Sequence, residues 1–419
     1  MGKKRAKHHL GQLLLGLDYA YEEGRLAALD ALAAALRALP PATVDEHGAS
    51  FFAQLAMRCG NEASAACAAR VKDVLATLLG RVAPETRAGL LQRCLDFLDA
   101  AGSEDRAAEF DAAEKLASLR LLAARVAEAF AGHLDEPKLA RKVLAKLSGA
   151  LAAAADDDGA LDATLAALAA FARRAPDAGR AFDAEPAVVG AVLDALRKRR
   201  LGAAAFFGVC FDAGLLGSAE VHGAVATASC AALDAGDDRF DSALATQSSK
   251  NLLFVLGSGL VDAGAAREAL ETLAAAAGRR GDGRRRAVFA VFAACLERAP
   301  AALEACLGKC VAPLHRAIDE ERERDAAARD WGKKRTEDRD TATAALAQDV
   351  LQRFEDAFGA ETVARAVGAV VSELRRKRDE RKAAKKKMAV TDPAAFSKRK
   401  LARGEEKKAG RKRKAEERR

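Results

Sequence analysis

Apolar residues recur in this chain at helical spacing, stripe after stripe, with a breaker following each stripe. Leu26, Leu29, Leu32 and Leu36 form one stripe, which Pro40-Pro41 stops. Val71, Val74, Leu75, Leu78 and Leu79 form another, closed by Gly80. Pro84 and Glu85 open a third, which carries Leu90, Leu91, Leu95 and Leu98 and ends near Gly102. A period of three to four residues puts each set on one side of an α-helix, and that side must be buried. Further stripes run through 105–131, 136–154, 160–174, 186–198, 218–234, 239–256, 263–277 and 284–298, and the last through 301–325, 335–357 and 361–382. Between them fall Pro137, the run Asp156 to Gly159, Pro176, Pro186, Gly202, Gly214, Gly217, Gly236 and the stretch Gly278 to Gly283. Helices joined by short polar turns at this density make a pair about every 40 residues, which is the HEAT or armadillo period. The spacing carries this reading, since no repeat signature stands in the residues themselves. The expected fold is all-α, a HEAT- or armadillo-like α-solenoid, with a non-repetitive helical bundle as the competing architecture.

Composition points the same way. Ala supplies 105 of the 419 residues, Ile appears once (Ile318) and Asn twice (Asn61, Asn251). Strand formers are therefore scarce, while Ala, Leu, Arg, Glu and Lys are strong helix formers. Half the residues are hydrophobic, which argues against a disordered chain. No stretch of about 18 residues lacks charges, so no membrane-spanning helix is expected. The length alone suggests two or three domains, but a solenoid escapes that count because each repeat packs only on its neighbours. No secretion signal is read at the start. Met1 to Lys7 is basic, but the apolar stretch after it is broken by Gly11, Gly16 and Asp18. The eight cysteines, at 59, 67, 94, 210, 230, 295, 306 and 310, sit mostly in helical patterns and read as reduced, buried small hydrophobes.

One helix pair illustrates the expected packing. Val288, Phe289, Val291, Phe292 and Leu296 stripe the helix 284–298. Ala299-Pro300 makes a turn, and Leu303, Leu307, Val311 and Leu314 form the facing stripe of a second helix. So short a turn leaves antiparallel packing as the expectation.

The formal net charge of +8 hides an asymmetry. Residues 375–419 hold 21 Lys/Arg against 7 Asp/Glu, a net of +14, so residues 1–374 hold 47 against 53, a net of −6. The expected organisation is a mildly acidic helical-repeat body over 1–374 and a basic tail over 375–419. Such a tail is an interaction arm for nucleic acid or an acidic partner. Its tracts Lys398 to Lys400 and Arg411 to Lys414 also suit nuclear localisation.

Catalytic motifs are missing. No GxxxxGK[ST] loop occurs, and Gly257-Ser258-Gly259 lacks both a third glycine and a preceding strand. No GxSxG elbow occurs either. Cys295, Cys306, Cys310 and His315 are the sharpest metal candidates. Zinc, however, needs converging ligands from paired short spacings, and these cysteines occupy ordinary core positions. His8-His9 reads as solvated, and His47, His133 and His222 stand alone. No enzyme activity, cofactor, metal or small-molecule substrate is expected.

The tail reads as two basic stretches. Arg375, Arg376, Lys377, Arg378, Arg381, Lys382, Lys385, Lys386 and Lys387 continue the preceding helix. Ala389 to Pro393 interrupts it, with Asp392 able to cap a new helix and Pro393 at its first position. Lys398, Arg399, Lys400, Arg403, Lys407, Lys408, Arg411, Lys412, Arg413 and Lys414 then supply a second basic helix, expected to be stable only in a complex. Cations neutralise phosphates and release counterions, so binding should weaken steeply with salt. Phe396 is the single aromatic residue, which leaves little stacking on unpaired bases and favours backbone contact with structured RNA. The basic loop Gly278 to Gly283, with Arg279, Arg280 and Arg284 to Arg286, reads as mobile and is a second, weaker candidate contact.

Three segments resemble the C-terminal region of the DRIM-type proteins, very large HEAT-repeat components of the small-subunit processome. Lys250-Asn251-Leu252-Leu253-Phe254 is similar to a KNLLF-like stretch at a helix start. Val311 to Arg316 is similar to a short APL-containing helix that follows a Phe-bearing one, here with Phe289 and Phe292. Arg375 to Lys387, then Ala389-Val390-Thr391-Asp392-Pro393, then Lys398-Arg399-Lys400, Lys407-Lys408 and Arg411 to Lys414 resemble the family's basic run, VTNP-like break and closing basic clusters. Asp392 stands where that family tends to have Asn. The likeness covers about 240–414, with the repeats of 240–374 the best match. Family members are several times longer, so the chain corresponds to their last part. The resemblance implies a nucleolar, non-catalytic scaffold for 18S ribosomal RNA processing. Its implied partners are pre-ribosomal RNA, a small nucleolar ribonucleoprotein and other processome proteins. The competing function is an adaptor or transport solenoid that binds protein partners, with the tail as a nuclear localisation signal.

Overall fold

The computed structural model describes residues 3–102, 113–134, 136–154, 157–174, 186–234, 240–279, 281–330 and 342–394, together with Ser397, Leu401, Glu405 and Lys408. Among them the regular structure is entirely helical. In chain order the helices are α1 (Lys3–Leu15), α2 (Glu22–Ala38), α3 (Pro41–Asn61), α4 (Ala65–Arg81), α5 (Pro84–Gly102), α6 (Ala113–Phe130), α7 (Pro137–Ala153), α8 (Asp158–Arg174) and α9 (Pro186–Arg197). They continue with α10 (Leu201–Asp212), α11 (Ala219–Leu233), α12 (Ser242–Gly257), α13 (Ala263–Ala277), α14 (Asp282–Arg298), α15 (Pro300–Ala305), α16 (Leu307–Asp330), α17 (Ala342–Phe358) and α18 (Ala360–Thr391). No described helix is long and apolar enough to cross a membrane. The chain divides into two compact units, 1–303 and 304–419.

Local chemistry sets the helix starts. Proline opens α3, α5, α7, α9 and α15, where its missing N–H costs nothing. Side chains cap others: Ser64 Oγ accepts from the Cys67 amide, Asp157 from Ala160, Asp241 from Ala243 and Leu244, and Asp262 from Ala265. Each such cap satisfies backbone donors that have no intrahelical partner and contributes about 1 kcal/mol.

Packing in the first unit has a strict register. The even helices α2, α4, α6, α8, α10, α12 and α14 each pack on the next of their set. The odd helices α3, α5, α7, α9, α11 and α13 do the same, and the pairs α3/α4 through α13/α14 join the two layers. The main contacts all fall within three helices along the chain. This one-dimensional, two-layered stacking is the architecture of an α-solenoid of the HEAT type. It bears out the expected fold class. The apolar stripes fill the seam between layers, with Leu32, Leu36, Phe52, Val71, Leu75, Phe130, Phe171, Phe206 and Phe289 fully buried. Ion pairs tie successive helices of one layer, Asp30–Arg70 between α2 and α4 and Lys72–Glu128 between α4 and α6, each at 2.6 Å.

In the second unit, α16, α17 and α18 all pack on one another. Leu314 and Ile318 of α16, Ala347, Val350 and Phe354 of α17, and Val363 of α18 are buried. Gly359, at φ 86°, makes the reversal between α17 and α18 in a conformation that suits glycine.

Several expectations are corrected. Helices α1, α3 and α10 are not among the anticipated stripes. Pro41 begins a helix as well as following one, and the glycines of α10 serve close approach: a Cβ on Gly208 would collide with the Gln247 amide of α12. Lys250 to Phe254 lies inside α12, not at its start, and Asn251 is buried there, donating to the Ala204 carbonyl at 2.8 Å. The expected helix over 301–325 is broken at Cys306 into α15 and α16, and Pro313 lies within the 24-residue α16 and not in a short helix.

Candidate nucleic-acid interface

Helix α18 has two parts with different physics. Its first turns carry Val363 into the core of the second unit. Every residue from Arg375 to Lys387 is exposed. The helix persists there because Arg, Lys, Glu and Ala have high intrinsic propensity and because pairs three and four apart bridge its turns. Arg376 pairs with Glu373 at 2.8 Å and Glu380 at 2.6 Å, and Lys377 pairs with Glu373 at 3.2 Å. The hydrogen bonds from Arg376 and then Lys377 hold the Glu373 carboxyl down to about 2. The helix runs through Ala389, Val390 and Thr391 and stops at Asp392, so the expected interruption falls at Asp392-Pro393 and not at Ala389. Pro393 and Ala394 are again helical.

Arg375, Arg376, Lys377, Arg378, Arg381, Lys382, Lys385, Lys386 and Lys387 thus stand on one continuous exposed helix. Arg375, Arg378, Arg381, Lys385, Lys386 and Lys387 make no ion pair among the described residues, whereas Arg376, Lys377 and Lys382 are partly satisfied by neighbours on the same helix. Lys408 is exposed. Lys398, Arg399, Lys400, Arg403, Lys407, Arg411, Lys412, Arg413 and Lys414 lie outside the described residues.

The helix does not present these cations evenly. Leu374, Lys377, Arg378, Arg381, Lys382 and Lys385 recur at helical spacing on the side toward α16. With Arg316, Asp319, Glu320 and Glu323 of α16 they line an open groove of about 540 Å³. Arg316 was not among the sequence candidates. It is exposed on a helix whose following residues alternate in charge, and that pattern reads as an ordinary solvated face.

The basic loop before α14 is a different object from the one expected. Arg284 and Arg285 are buried, and Arg285 Nε donates to the carbonyls of Ala277 and Arg279 at 3.1 and 3.2 Å. Arg279 pairs with Asp234 at 2.8 Å. Arg284 and Arg285 are thus interior, while Arg279 and Arg286 are exposed; Arg280 lies outside the described residues. His222 is likewise part of the interior. It is held between Ser258 Oγ at 3.1 Å and the Leu216 carbonyl at 2.9 Å, with Phe211 against its ring. All eight cysteines are buried, with the Cys306 and Cys310 sulfurs 3.6 Å apart. His315 faces Asp319 at 3.2 Å.

No protein-family model matches the chain, and no curated protein matches it. Among solved structures it is similar to a mutant of Kap121p, at 13% identity and a TM-score of 0.41, over 88% of this chain and 44% of that one. It is also similar to an engineered protein, at 13% identity and a TM-score of 0.29, over 90% of this chain and 99% of that one. The chain spans less than half the length of the Kap121p chain it matches.

Proposed function

We propose that this protein is a non-catalytic scaffold that holds structured RNA through the exposed second half of α18. The setting in this reading is nucleolar assembly of the small ribosomal subunit. One observation carries the RNA contact: from Arg375 to Lys387 the helix is exposed throughout, and six of its cations have no ion-pair partner among the described residues. Cations held in water on a rigid helix are available to phosphates, and releasing the condensed counterions drives the association. The solenoid supplies long helical faces for protein partners, and the ribosomal setting rests on the resemblance of the three sequence segments to the DRIM-type family. Affinity purification of the tagged chain, with and without ribonuclease, tests the proposal. Co-purification of pre-ribosomal RNA and processome proteins that disappears after ribonuclease treatment supports it. Partners that survive the treatment, with no ribosomal RNA recovered, refute it.

A second reading is an adaptor or transport solenoid. It is favoured by large apolar side chains left exposed on the first unit, Tyr19, Tyr21 and Met57, with Tyr21 80% accessible. In that reading residues 1–374 capture protein partners without RNA, and the basic segments act as a nuclear address.

A further inference from the structure

The α16–α18 groove combines the densest cluster of α18 cations with three carboxylates. Lys377, Arg378, Arg381, Lys382 and Lys385 form one wall with Leu374 among them, and Arg316 stands across from them beside Asp319, Glu320 and Glu323. The opposite face of α18 is poorer. By helical spacing it presents Arg375, Arg376, Lys386 and Lys387, interleaved with Asp379 and Glu380. Arg376 there is engaged by Glu373 and Glu380, as Lys377 and Lys382 on the groove side are by Glu373 and Asp379. Cations on the groove side follow one another at three- and four-residue steps, about 5.4 Å per turn. That rise is of the order of the phosphate step in an extended strand.

The geometry points to a specific mode of contact: a single phosphodiester backbone lies along the α16–α18 groove, Arg316 is a binding residue outside the tail, and Asp319, Glu320 and Glu323 act against binding. This rests on the RNA-binding reading of α18. Six cations face three carboxylates, so a polyanion gains net attraction and also meets a like-charged wall along part of its path. Repulsion by partly solvated carboxylates is screened within about 10 Å at 0.1 M salt, so the acids should discourage weak, non-specific occupancy most at low salt. The strand is one backbone of a structured RNA, such as the unpaired flank of a hairpin, lying along the open groove.

The test uses the full chain and a fluorescent hairpin RNA carrying an unpaired uridine flank. Two cation-matched variants separate the faces of α18: Arg378→Ala/Arg381→Ala/Lys385→Ala on the groove side and Arg375→Ala/Lys386→Ala/Lys387→Ala on the outer side. The groove set should weaken binding at least about tenfold and the outer set only a few-fold. Arg316→Ala should weaken binding about threefold and reduce the salt slope by about one. Asp319→Asn/Glu320→Gln/Glu323→Gln should tighten binding at least about threefold at low salt, with the gain shrinking as salt rises. Helicity by circular dichroism checks that each exposed-residue variant keeps its fold. An outer set that matters as much as the groove set, or α16 variants that change nothing, overturns the groove assignment while leaving α18 as the RNA contact. No effect of either cation set overturns both. Displacement of the RNA by a poly-glutamate peptide of equal charge at equal concentration would show an acidic-peptide groove and refute the strand assignment.

Discussion

Replacing Glu62 by Ala removes the anion at the centre of a buried network in the first solenoid pair. Glu62 is 5% exposed and ends α3. Its carboxylate accepts from Arg25 Nε at 3.1 Å and Nη2 at 3.0 Å, from Arg58 Nε at 3.0 Å, and from the Ser64 amide at 2.9 Å. Deleting one partner of a buried pair costs about 3–5 kcal/mol, because the remaining charge stays out of water. Here the side chains of Arg25 and Arg58 are 12% and 22% exposed, and Arg25 keeps its bonds to the carbonyls of Tyr19 and Ala20. The lower end applies, about 3 kcal/mol for Ala and about 2 for Gln, which retains an acceptor. Hydrogen exchange reads this directly. Protected amides at the end of α3 and the start of α4 should exchange roughly a hundredfold faster in Glu62→Ala. The pH dependence supplies a second check. Burial raises the carboxyl, but the Ser64 amide, the Arg25 hydrogen bond and the Arg58 charge more than offset it, so it titrates below its ordinary 4.5. A group depressed on folding contributes stability above its unfolded value, and that contribution is lost as pH falls through the folded one. Protection should therefore drop as pH falls below about 4.5, and Glu62→Gln should abolish that part of the pH dependence. Exchange rates in Glu62→Gln within twofold of the parent, with an unchanged pH profile, would refute the reasoning.

Three further expectations follow from the packing. Arg199 sits at φ 66° just past α9, with the Arg200 amide reaching the Ala195 carbonyl at 3.0 Å, so Arg199→Gly should leave stability equal or about 1 kcal/mol higher while Arg199→Val lowers it by about 1–2; urea unfolding that gave the reverse order would contradict the assignment. At Gly60 the added Cβ of an alanine would lie 2.7 Å from the Ser118 carbonyl oxygen of α6, so Gly60→Ala should destabilise by about 1–3 kcal/mol despite its better helix propensity, read as a lowered Tm. Burial raises the Cys59 and Cys230 thiols to about 12, so these, with the other buried cysteines, should resist alkylation at neutral pH until denaturant is added; rapid labelling of the native chain would count against the core placement.

The periodicity of Leu26 to Leu36 or Val71 to Leu79 made the helices and the fold class legible, because a buried stripe on a solenoid helix is a local pattern. One repeat mark stands in the prolines. Pro41, Pro84, Pro137 and Pro186 open successive odd-layer helices, so Pro41, Pro137 and Pro186, which read as breakers, are starts just as Pro84 is. The helices missed were α1, α3 and α10. In α10 nearly every position is apolar, with Phe206, Phe207, Cys210 and Phe211 all buried, so no single stripe stands out against a polar face. Arg284 and Arg285 looked like a basic surface loop in sequence. In the fold Arg285 donates to carbonyls at the end of α13 and Arg284 lies 4.0 Å from the Asp234 carboxylate, placements that only the three-dimensional packing sets. The exposed cations of Arg375 to Lys387 were legible from charge density alone. Their division between a groove side and an outer side was not, because it depends on where α16 packs.

The salt dependence of RNA affinity tests the central claim most directly. Binding of a structured RNA by the full chain, measured across 50–300 mM potassium chloride, is compared with that of a chain in which Arg375, Arg378, Arg381, Lys385, Lys386 and Lys387 are replaced by Gln. The parent should give a steep line of log Kd against log salt, and the variant a slope shallower by about two to five, since each lost phosphate contact removes about 0.7–0.9 and the groove-side cations alone supply about three contacts. Equal slopes and equal affinities in the two proteins would contradict the assignment of α18 as the RNA-binding element.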